Sequence, residues 1–180
     1  MLCIFKLIYG VGLRALRSLF MDINPSWSNQ PLDAACFDKG TMKLKKEQEA
    51  LFNKGDINEW DFSLMTTVLL YSKTCSVEIS KKPDFAPALR ELRKCRNSLL
   101  GHPSTERMSE SDFNTFWPLL SDNFIKLGAD PTEVAEILLQ SGICGNKKET
   151  LYLMCVLTFL ERSGETYIIH FRCFVTWKSI

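Results

Sequence analysis

The sequence predicts an all-α fold that is followed by a short β-hairpin or an irregular C-terminal tail. Apolar residues recur at intervals of three and four residues in successive segments of the first 142 residues, which is the pattern of amphipathic helices. Prolines, glycines and capping residues stand between these segments, where helices are expected to begin and end.

The first segments predict two helices separated by a loop. One helix is expected over 4–20, and the proline-containing sequence NPSWSNQP follows it as a loop. The second is expected to begin at Thr41 and to end at Lys54, because Gly55 is a favourable residue directly after a helix. Its lysine-rich part, KLKKEQE, is interpreted as a solvent-exposed face.

Two further helices have recognisable starts. Asn58 and Asp61 have the spacing of a capping box, and the apolar residues after them predict a helix at the centre of the core. Pro87 is expected near the first turn of the next helix, where its missing N–H costs little. Ser109 and Asp112 again have capping-box spacing and predict the start of the helix that follows.

The helix after Ser109 carries an aromatic stripe that is expected to pack in the core. Its members are Phe113, Phe116, Trp117, Leu120, Phe124 and Leu127. Pro118 lies within this segment and predicts a kink. A last helix is expected to open at Asp130 and Pro131 and to end at Gly142.

The character of the sequence changes after Gly142. Residues 1–142 are expected to form one helical domain, and residues 143–180 a C-terminal extension of unknown role. The segment ETYIIHFRCFVTW within the extension is rich in β-branched and aromatic residues, which favours a strand over a helix.

Composition excludes several classes of protein. The formal net charge of +1 gives no overall attraction to nucleic acid, so any such binding must come from a local patch. The 7 cysteines form no C-x-x-C pair and their number is odd, which indicates reduced thiols and a cytoplasmic protein. No metal site and no cofactor are expected. The apolar start, interrupted by Lys6, is interpreted as a buried helix and not as a signal peptide, and no membrane segment is expected.

The helix after Pro87 has a basic side. Arg90, Arg93 and Lys94 lie off the centre of its apolar stripe, whereas the segment 111–142 is acidic. These residues are either ordinary solvated charges or the RNA-binding residues of the protein, and the charge pattern alone favours the first interpretation.

Arg96 has a different position on that helix. It follows Leu92 by four residues and precedes Leu100 by four, so it lies on the same stripe as the leucines. A guanidinium buried without partners costs several kcal/mol, roughly, so Arg96 is expected either to meet a hydrogen-bonding partner or to border a cleft.

Asn97 and His102 accompany this arginine. Gly101 and Pro103 are expected to end the helix and to hold His102 on a turn. A fixed cation, a polar orienting group and an imidazole that titrates near neutrality suit phosphate chemistry. The alternative is structural: Arg96 pairs with an acidic side chain and His102 caps carbonyl groups at the helix end.

The sequence resembles the HEPN family (higher eukaryotes and prokaryotes nucleotide-binding). RNSLLGH, in which five residues separate Arg96 from His102, is similar to the family motif, in which four to six residues separate an arginine from a histidine. GLRALRSLF, NPSW, MKLKKEQEALFNKGD, WDFSLMTTVLL, LRKCRNSLLGHPS and DFNTFWPLLSDNFIKLGAD follow the order of HEPN domains similar to that of the DAZ-interacting RING ubiquitin ligase. The resemblance covers residues 8–142, and the ordered set is more specific than the short motif.

The resemblance implies an all-α bundle of four to five helices, of the HEPN type, that forms a homodimer through the helix that carries the motif. It also implies RNA as a partner and a metal-independent endoribonuclease activity. Arg96 would then stabilise the charge that develops on the phosphate, His102 would act as general acid or base, and Asn97 would orient one of them.

The sequence leaves two alternatives to an endoribonuclease. Many animal domains of this type are parts of immune or ubiquitin-pathway proteins, which implies a non-catalytic dimerisation or adaptor module with signalling proteins as partners. A cysteine nucleophile at Cys95, beside Arg96, is the weaker alternative, because a buried structural thiol fits that position better.

Overall fold

The computed structural model describes residues 2–101 and 109–140, and all the regular secondary structure within these ranges is helical. The all-α prediction is therefore confirmed for the described residues. The extension 143–180 and its predicted hairpin lie outside them. None of the described helices has the length and apolar character that crossing a bilayer requires.

The α-helices follow one another with short connections. They are α1 (Leu2–Lys6), α2 (Leu13–Ile23), α3 (Pro31–Cys36), α4 (Lys46–Lys54), α5 (Phe62–Tyr71), α6 (Lys73–Ser80), α7 (Phe85–Gly101), α8 (Glu110–Lys126) and α9 (Pro131–Gln140). A π-helical stretch, Leu7–Gly12, joins α1 to α2, and a 3-10 turn, Ile57–Glu59, precedes α5.

The first predicted helix is present and continues to Ile23, beyond its expected end at residue 20. Its π-helical stretch packs against α8 and α9. Gly12 allows this approach, because a Cβ atom there would collide with the ring of Phe124. The stretch therefore holds α8 close to the N-terminal helices.

The second predicted helix begins later than expected. Helix α4 begins at Lys46 and not near Thr41, because Gly40 and Thr41 belong to a turn that is bonded to the end of α5. It ends as predicted at Gly55, which has a positive φ of 75°.

The N-cap of α5 is Asp61. The prediction of Asn58 as the cap is therefore wrong. The Asp61 carboxylate accepts a hydrogen bond from the Leu64 N–H at 2.7 Å. Asn58 lies in the preceding 3-10 turn, which Asp56 caps. The reason is that a short turn intervenes between the two residues, so the box spacing does not mark a single helix start.

Two short helices were missed by sequence analysis. Helix α3 starts after Gln30, whose N–H donates to the Asp33 carboxylate at 3.0 Å, and this bond is the main cause of the lowered pKa of Asp33. Helix α6 starts at Ser72, whose hydroxyl accepts from the Cys75 N–H at 3.4 Å. Both have too few residues for a clear apolar period.

Helix α5 is the central helix, as predicted. All of its residues from Leu64 to Leu70 are buried, including Thr66 and Thr67, and it packs against α2, α6 and α7. Because these two threonines are buried, their hydroxyl groups need partners within the protein, and both donate to carbonyl groups of the preceding turn.

An aromatic cluster fills the space between α2, α4 and the loops beside them. Its members are Phe20, Trp27, Phe37, Phe52 and Trp60, with ring centroids 5.0–6.4 Å apart. Trp27 donates from Nε1 to the Gly55 carbonyl at 2.8 Å. Arg17 donates to the carbonyl groups of Asn58 and Trp60 at 2.7 and 3.0 Å, and burial lowers the pKa of its guanidinium. These contacts fix the chain that leads into α5.

The later helices begin where the sequence predicts. Pro87 is the third residue of α7, and the Ser109 hydroxyl accepts from the Asp112 N–H at 3.0 Å at the start of α8. Pro118 lies inside α8, and the kink it predicts stays a prediction. Helix α9 begins at Pro131. Helix α7 packs against α5, α6 and α8, and this leaves one of its sides along a surface cleft.

Candidate functional site

A cleft of about 510 Å³ lies between α5, α7 and the segment 41–48, which we call the strap. The strap follows the turn at Gly40 and includes the first turn of α4. The cleft is lined by Thr41, Lys43, Lys45, Gln48, Phe62, Ser63, Thr66, Thr67, Tyr71, Arg93, Arg96 and Asn97. Arg96 and Asn97, two of the residues singled out in the sequence, are thus part of its wall.

Helix α7 presents its arginines to the cleft from the edge of its buried side. Leu89, Leu92 and Cys95 are buried in the core, with exposed fractions of 0%, 0% and 3%. Arg93 and Arg96 are half-buried beside them. Arg96 does not lie at the centre of the buried side of α7, as the apolar stripe had predicted. Cys95 takes the core position, and Arg96 lies one residue further around the helix, where it borders the cleft.

Arg96 has unused hydrogen-bonding capacity. Its Nη1 donates to Oδ1 of Asn97 at 3.2 Å, whereas its Nε is buried and has no hydrogen-bond partner among the described residues. Within those residues no carboxylate pairs with it, so the structural alternative of an acidic partner finds no support there. Its half-buried position is explained by a cleft within one chain and does not require a second subunit.

Arg93 is the second arginine of the cleft wall. Its Cζ atom lies 5.4 Å from the centroid of the Tyr71 ring, and its buried Nη1 has no hydrogen-bond partner in the described part of the chain. The interpretation of Arg93 as an ordinary solvated charge is therefore wrong. A guanidinium that rests on an aromatic ring keeps its N–H groups available at the ring edge.

The strap is fixed at both of its ends. Thr41 donates from its backbone N–H to the Tyr71 carbonyl at 2.9 Å, which ties the strap to the end of α5. At the other end, Gln48 donates from Nε2 to the Ser63 hydroxyl at 3.3 Å and accepts from the Lys45 N–H at 3.2 Å. The lysines between these anchors, Lys43 and Lys45, are exposed.

The turn before the strap has its own support. Gly40 adopts φ +57°, and a Cβ there would lie 2.6 Å from the Lys73 nitrogen and 2.7 Å from the Tyr71 carbonyl oxygen. The Asp38 carboxylate accepts from the Gly40 N–H and pairs with the Lys73 ammonium at 3.3 Å. These two contacts, the first above all, lower the pKa of Asp38. The turn thus holds the start of the strap against α5 and α6.

The charged side chains that line the cleft in the described part of the chain are all cations. Lys43 and Lys45 lie on the strap, and Arg93 and Arg96 lie on α7. None of these cations forms an ion pair with a residue of 2–101 or 109–140. Cations in a concave site reinforce one another, so this arrangement suits an anion.

Hydroxyl groups line the floor of the cleft. Thr66 and Thr67 donate their protons to carbonyl groups of α5, which leaves their oxygens as acceptors. Ser63 accepts from Gln48 and keeps its own proton for a ligand. Thr66 and Thr67 are buried, with exposed fractions of 0% and 6%, so of these three hydroxyl groups the half-buried Ser63 is the one that a ligand can reach.

The remaining predicted residues lie apart from the cleft or outside the described ranges. Arg90 is exposed on α7, and Lys94 pairs with Glu91 at 3.1 Å; neither lines the cleft. His102 lies outside the described residues. The catalytic role predicted for it and the RNA-binding roles of Arg90 and Lys94 stay predictions.

The strap lysines were missed as site residues. The lysine-rich sequence was read as the wet face of a helix, but Lys43 and Lys45 precede α4, and Lys45 is extended with φ −71° and ψ 159°. In an extended segment, residues two apart point to the same side. The alternation of lysines in MKLKK was the signal that could have identified them.

Cys95 lies in the core behind the arginines. Burial raises the pKa of its thiol, and the neighbouring Glu91 raises it further. A raised pKa reduces the thiolate fraction near neutral pH, which is the opposite of what a nucleophile needs. The structure therefore favours the structural thiol over the cysteine nucleophile at this position.

Comparison with family models, with curated proteins and with solved structures finds no match to this chain.

Proposed function

We propose that this chain is a HEPN-like helical module of the cytoplasm that self-associates through α7 and binds RNA in the cleft between the strap and α7. The observation that carries the proposal is the set of four cations around the cleft, which have no ion-pair partner and no neighbouring carboxylate lining the cleft within residues 2–101 and 109–140. RNA presents one negative charge per nucleotide, and phosphate contacts dominate the affinity of most RNA-binding surfaces.

Two further properties of the cleft support RNA as its ligand. Arg93 and Arg96 each have a guanidinium nitrogen without a hydrogen-bond partner among the described residues, and guanidinium groups bind phosphate oxygens in a bidentate manner. The half-buried Ser63 hydroxyl on the floor can bond a ribose hydroxyl of the kind that distinguishes RNA from DNA.

The proposal includes metal-independent cleavage of RNA. The 2′-hydroxyl would attack the adjacent phosphorus, its proton passing to a general base, while the 5′-oxygen leaves with a proton from a general acid. Arg96 would stabilise the additional negative charge on the phosphate oxygens, and Asn97, which already accepts from it, would hold its guanidinium in place. His102 would exchange the protons, and a second copy of the chain would supply a second histidine.

A binding and cleavage assay tests the proposal. Fluorescently labelled RNA of mixed sequence is incubated in EDTA with the wild type, Arg96→Gln and His102→Ala, and binding is followed by anisotropy before cleavage is followed on gels. We expect Arg96→Gln to weaken binding about tenfold or more, since charge-assisted hydrogen bonds contribute roughly 1.5–3 kcal/mol. We expect His102→Ala to bind normally and to cut at least a hundredfold more slowly.

Lys81→Gln is the matched control for charge. Lys81 is exposed, pairs with Glu78 at 2.6 Å and does not line the cleft, so its removal should leave RNA affinity unchanged. Products that end in a 2′,3′-cyclic phosphate would support the cleavage chemistry. If the wild type binds RNA but never cuts it, the catalytic part of the proposal fails and the binding part stands.

The adaptor alternative predicts a different pattern. RNA would not bind at all, whereas light scattering would give the mass of a dimer that Arg96→Ala weakens. A monomeric wild type at high concentration would contradict the self-association that both functions include.

A further inference from the structure

We propose that Lys43, Lys45 and Arg93 form a second phosphate subsite in the cleft, beside the one at Arg96, so that the cleft holds its ligand by two phosphate groups. In one respect this inference rests on the proposed function, because RNA is the ligand that is expected to bring the two phosphates. It assigns the strap, a segment outside the arginine and histidine motif, a role in binding.

The two arginines can serve different phosphates. They are three residues apart on α7, so their Cβ atoms are neighbours at roughly 5–6 Å, but their guanidinium groups are held by different partners. Arg96 is bonded to Asn97 on its own helix, at 3.2 Å, whereas Arg93 rests on the Tyr71 ring of α5, 5.4 Å away. Each has a buried nitrogen without a partner in the described residues.

The strap completes the subsite of Arg93. The strap is anchored to the Tyr71 carbonyl, and Tyr71 is the residue on which Arg93 rests. Tyr71 thus joins the strap, α5 and the Arg93 guanidinium at one end of the cleft. Lys43 and Lys45 follow the anchor directly and line the same cleft.

The electrostatics favour a doubly charged occupant. Four cations line one cleft without a compensating carboxylate among the described residues, and one phosphodiester would leave most of that charge unneutralised. The strap is bonded at both ends, so the lysine backbones are already positioned and binding costs only the ordering of their side chains.

The salt dependence of RNA affinity counts the phosphates that are bound. The logarithm of the affinity of a single strand falls with the logarithm of salt concentration by about 0.7 for each phosphate contact. We expect the slope for Lys43→Gln/Lys45→Gln/Arg93→Gln to be smaller than that of the wild type by about 0.7, and the addition of Arg96→Gln to reduce it by about 0.7 again.

Two further variants guard against trivial results. Lys54→Gln/Lys81→Gln/Lys126→Gln removes the same charge from ion-paired surface positions and should keep the wild-type slope. Lys43→Gln/Lys45→Gln alone changes only exposed side chains, so it should fold as the wild type does and should still reduce the slope. An unchanged slope in both the double and the triple cleft variants would overturn the second subsite while the proposed function stands.

A second probe separates this inference from the proposed function. If the wild type binds no RNA, the proposed function fails, and inorganic pyrophosphate is then compared with orthophosphate by thermal unfolding. We expect pyrophosphate to raise the Tm of the wild type more than orthophosphate does, and the two anions to raise the Tm of the triple cleft variant equally. Equal shifts for the two anions, or a pyrophosphate shift that the triple variant retains, would overturn it.

Discussion

The Arg93 guanidinium lies over the ring of Tyr71, with its Cζ atom 5.4 Å from the ring centroid. The carbonyl of the same tyrosine accepts the Thr41 N–H at 2.9 Å, which anchors the strap. One residue at the end of α5 therefore supports both walls of the cationic cleft.

The Tyr71 ring should affect RNA binding through Arg93. We expect Tyr71→Phe to bind RNA within about twofold of the wild type, because the ring face remains. Tyr71→Leu should weaken binding by roughly two- to fivefold, which corresponds to the loss of a partly exposed cation–π contact of about 0.5–1 kcal/mol. Anisotropy titrations measure both, and equal affinities for the two variants would show that the ring does not position Arg93.

The turn at Gly40 should resist substitution. Gly40→Ala places a Cβ against backbone atoms of Tyr71 and Lys73 at a positive φ, so we expect a loss of more than about 1 kcal/mol of unfolding free energy, together with weaker RNA binding. Gly10→Ala is the control, because no heavy atom lies within 4 Å of a Cβ at that helical position. In urea unfolding, Gly10→Ala should keep or raise the unfolding free energy, whereas Gly40→Ala should lower it. Similar losses in both would contradict the role given to the turn.

The N-cap of α5 can be identified by mutation. Asp61→Ala should lower the unfolding free energy by about 1 kcal/mol, because it removes the acceptor for the Leu64 N–H. Asn58→Ala should cost less, since the Asn58 side chain bonds only Asp56 in the described structure. If Asn58→Ala lowers the unfolding free energy more than Asp61→Ala does in chemical denaturation, Asp61 is not the N-cap.

The thiols should differ in their reactivity. Cys36 is exposed, whereas Cys75 and Cys95 have exposed fractions of 0% and 3%, and burial raises the pKa of both buried thiols. We expect iodoacetamide at pH 8 to alkylate Cys36 before Cys75 and Cys95, which should stay largely unmodified until the protein unfolds. Peptide mass spectrometry reads out each site. Rapid alkylation of Cys95 in the native protein would reopen the cysteine-nucleophile alternative.

The sequence predicts the long amphipathic helices well, because their apolar period extends over several turns. The central position of α5 and the capped start of α8 at Ser109 are both confirmed. The short helices α3 and α6 were missed because one or two turns give no clear period. Thr41 was mistaken for a helix cap because its true partner, the Tyr71 carbonyl, is thirty residues away in the chain.

The sequence predicted only some of the residues that line the candidate site. The position of Arg96 next to the leucines predicted either a partner or a cleft, and the structure shows the cleft. Arg93 could not be distinguished from Arg90 or Lys94 by charge alone, because what sets it apart is the tyrosine of another helix. Lys43 and Lys45 reach the site through a fixed turn, which is a tertiary feature that periodicity does not report.

The most direct test of the central claim is a lysine footprint of the wild-type protein with and without RNA. Exposed lysines are acetylated briefly under native conditions, and the modification of each one is measured by mass spectrometry. The account predicts that RNA protects Lys43 and Lys45 in the cleft and leaves Lys54 and Lys81 as reactive as before. Equal protection at all four lysines, or protection at Lys54 and Lys81 alone, would contradict it.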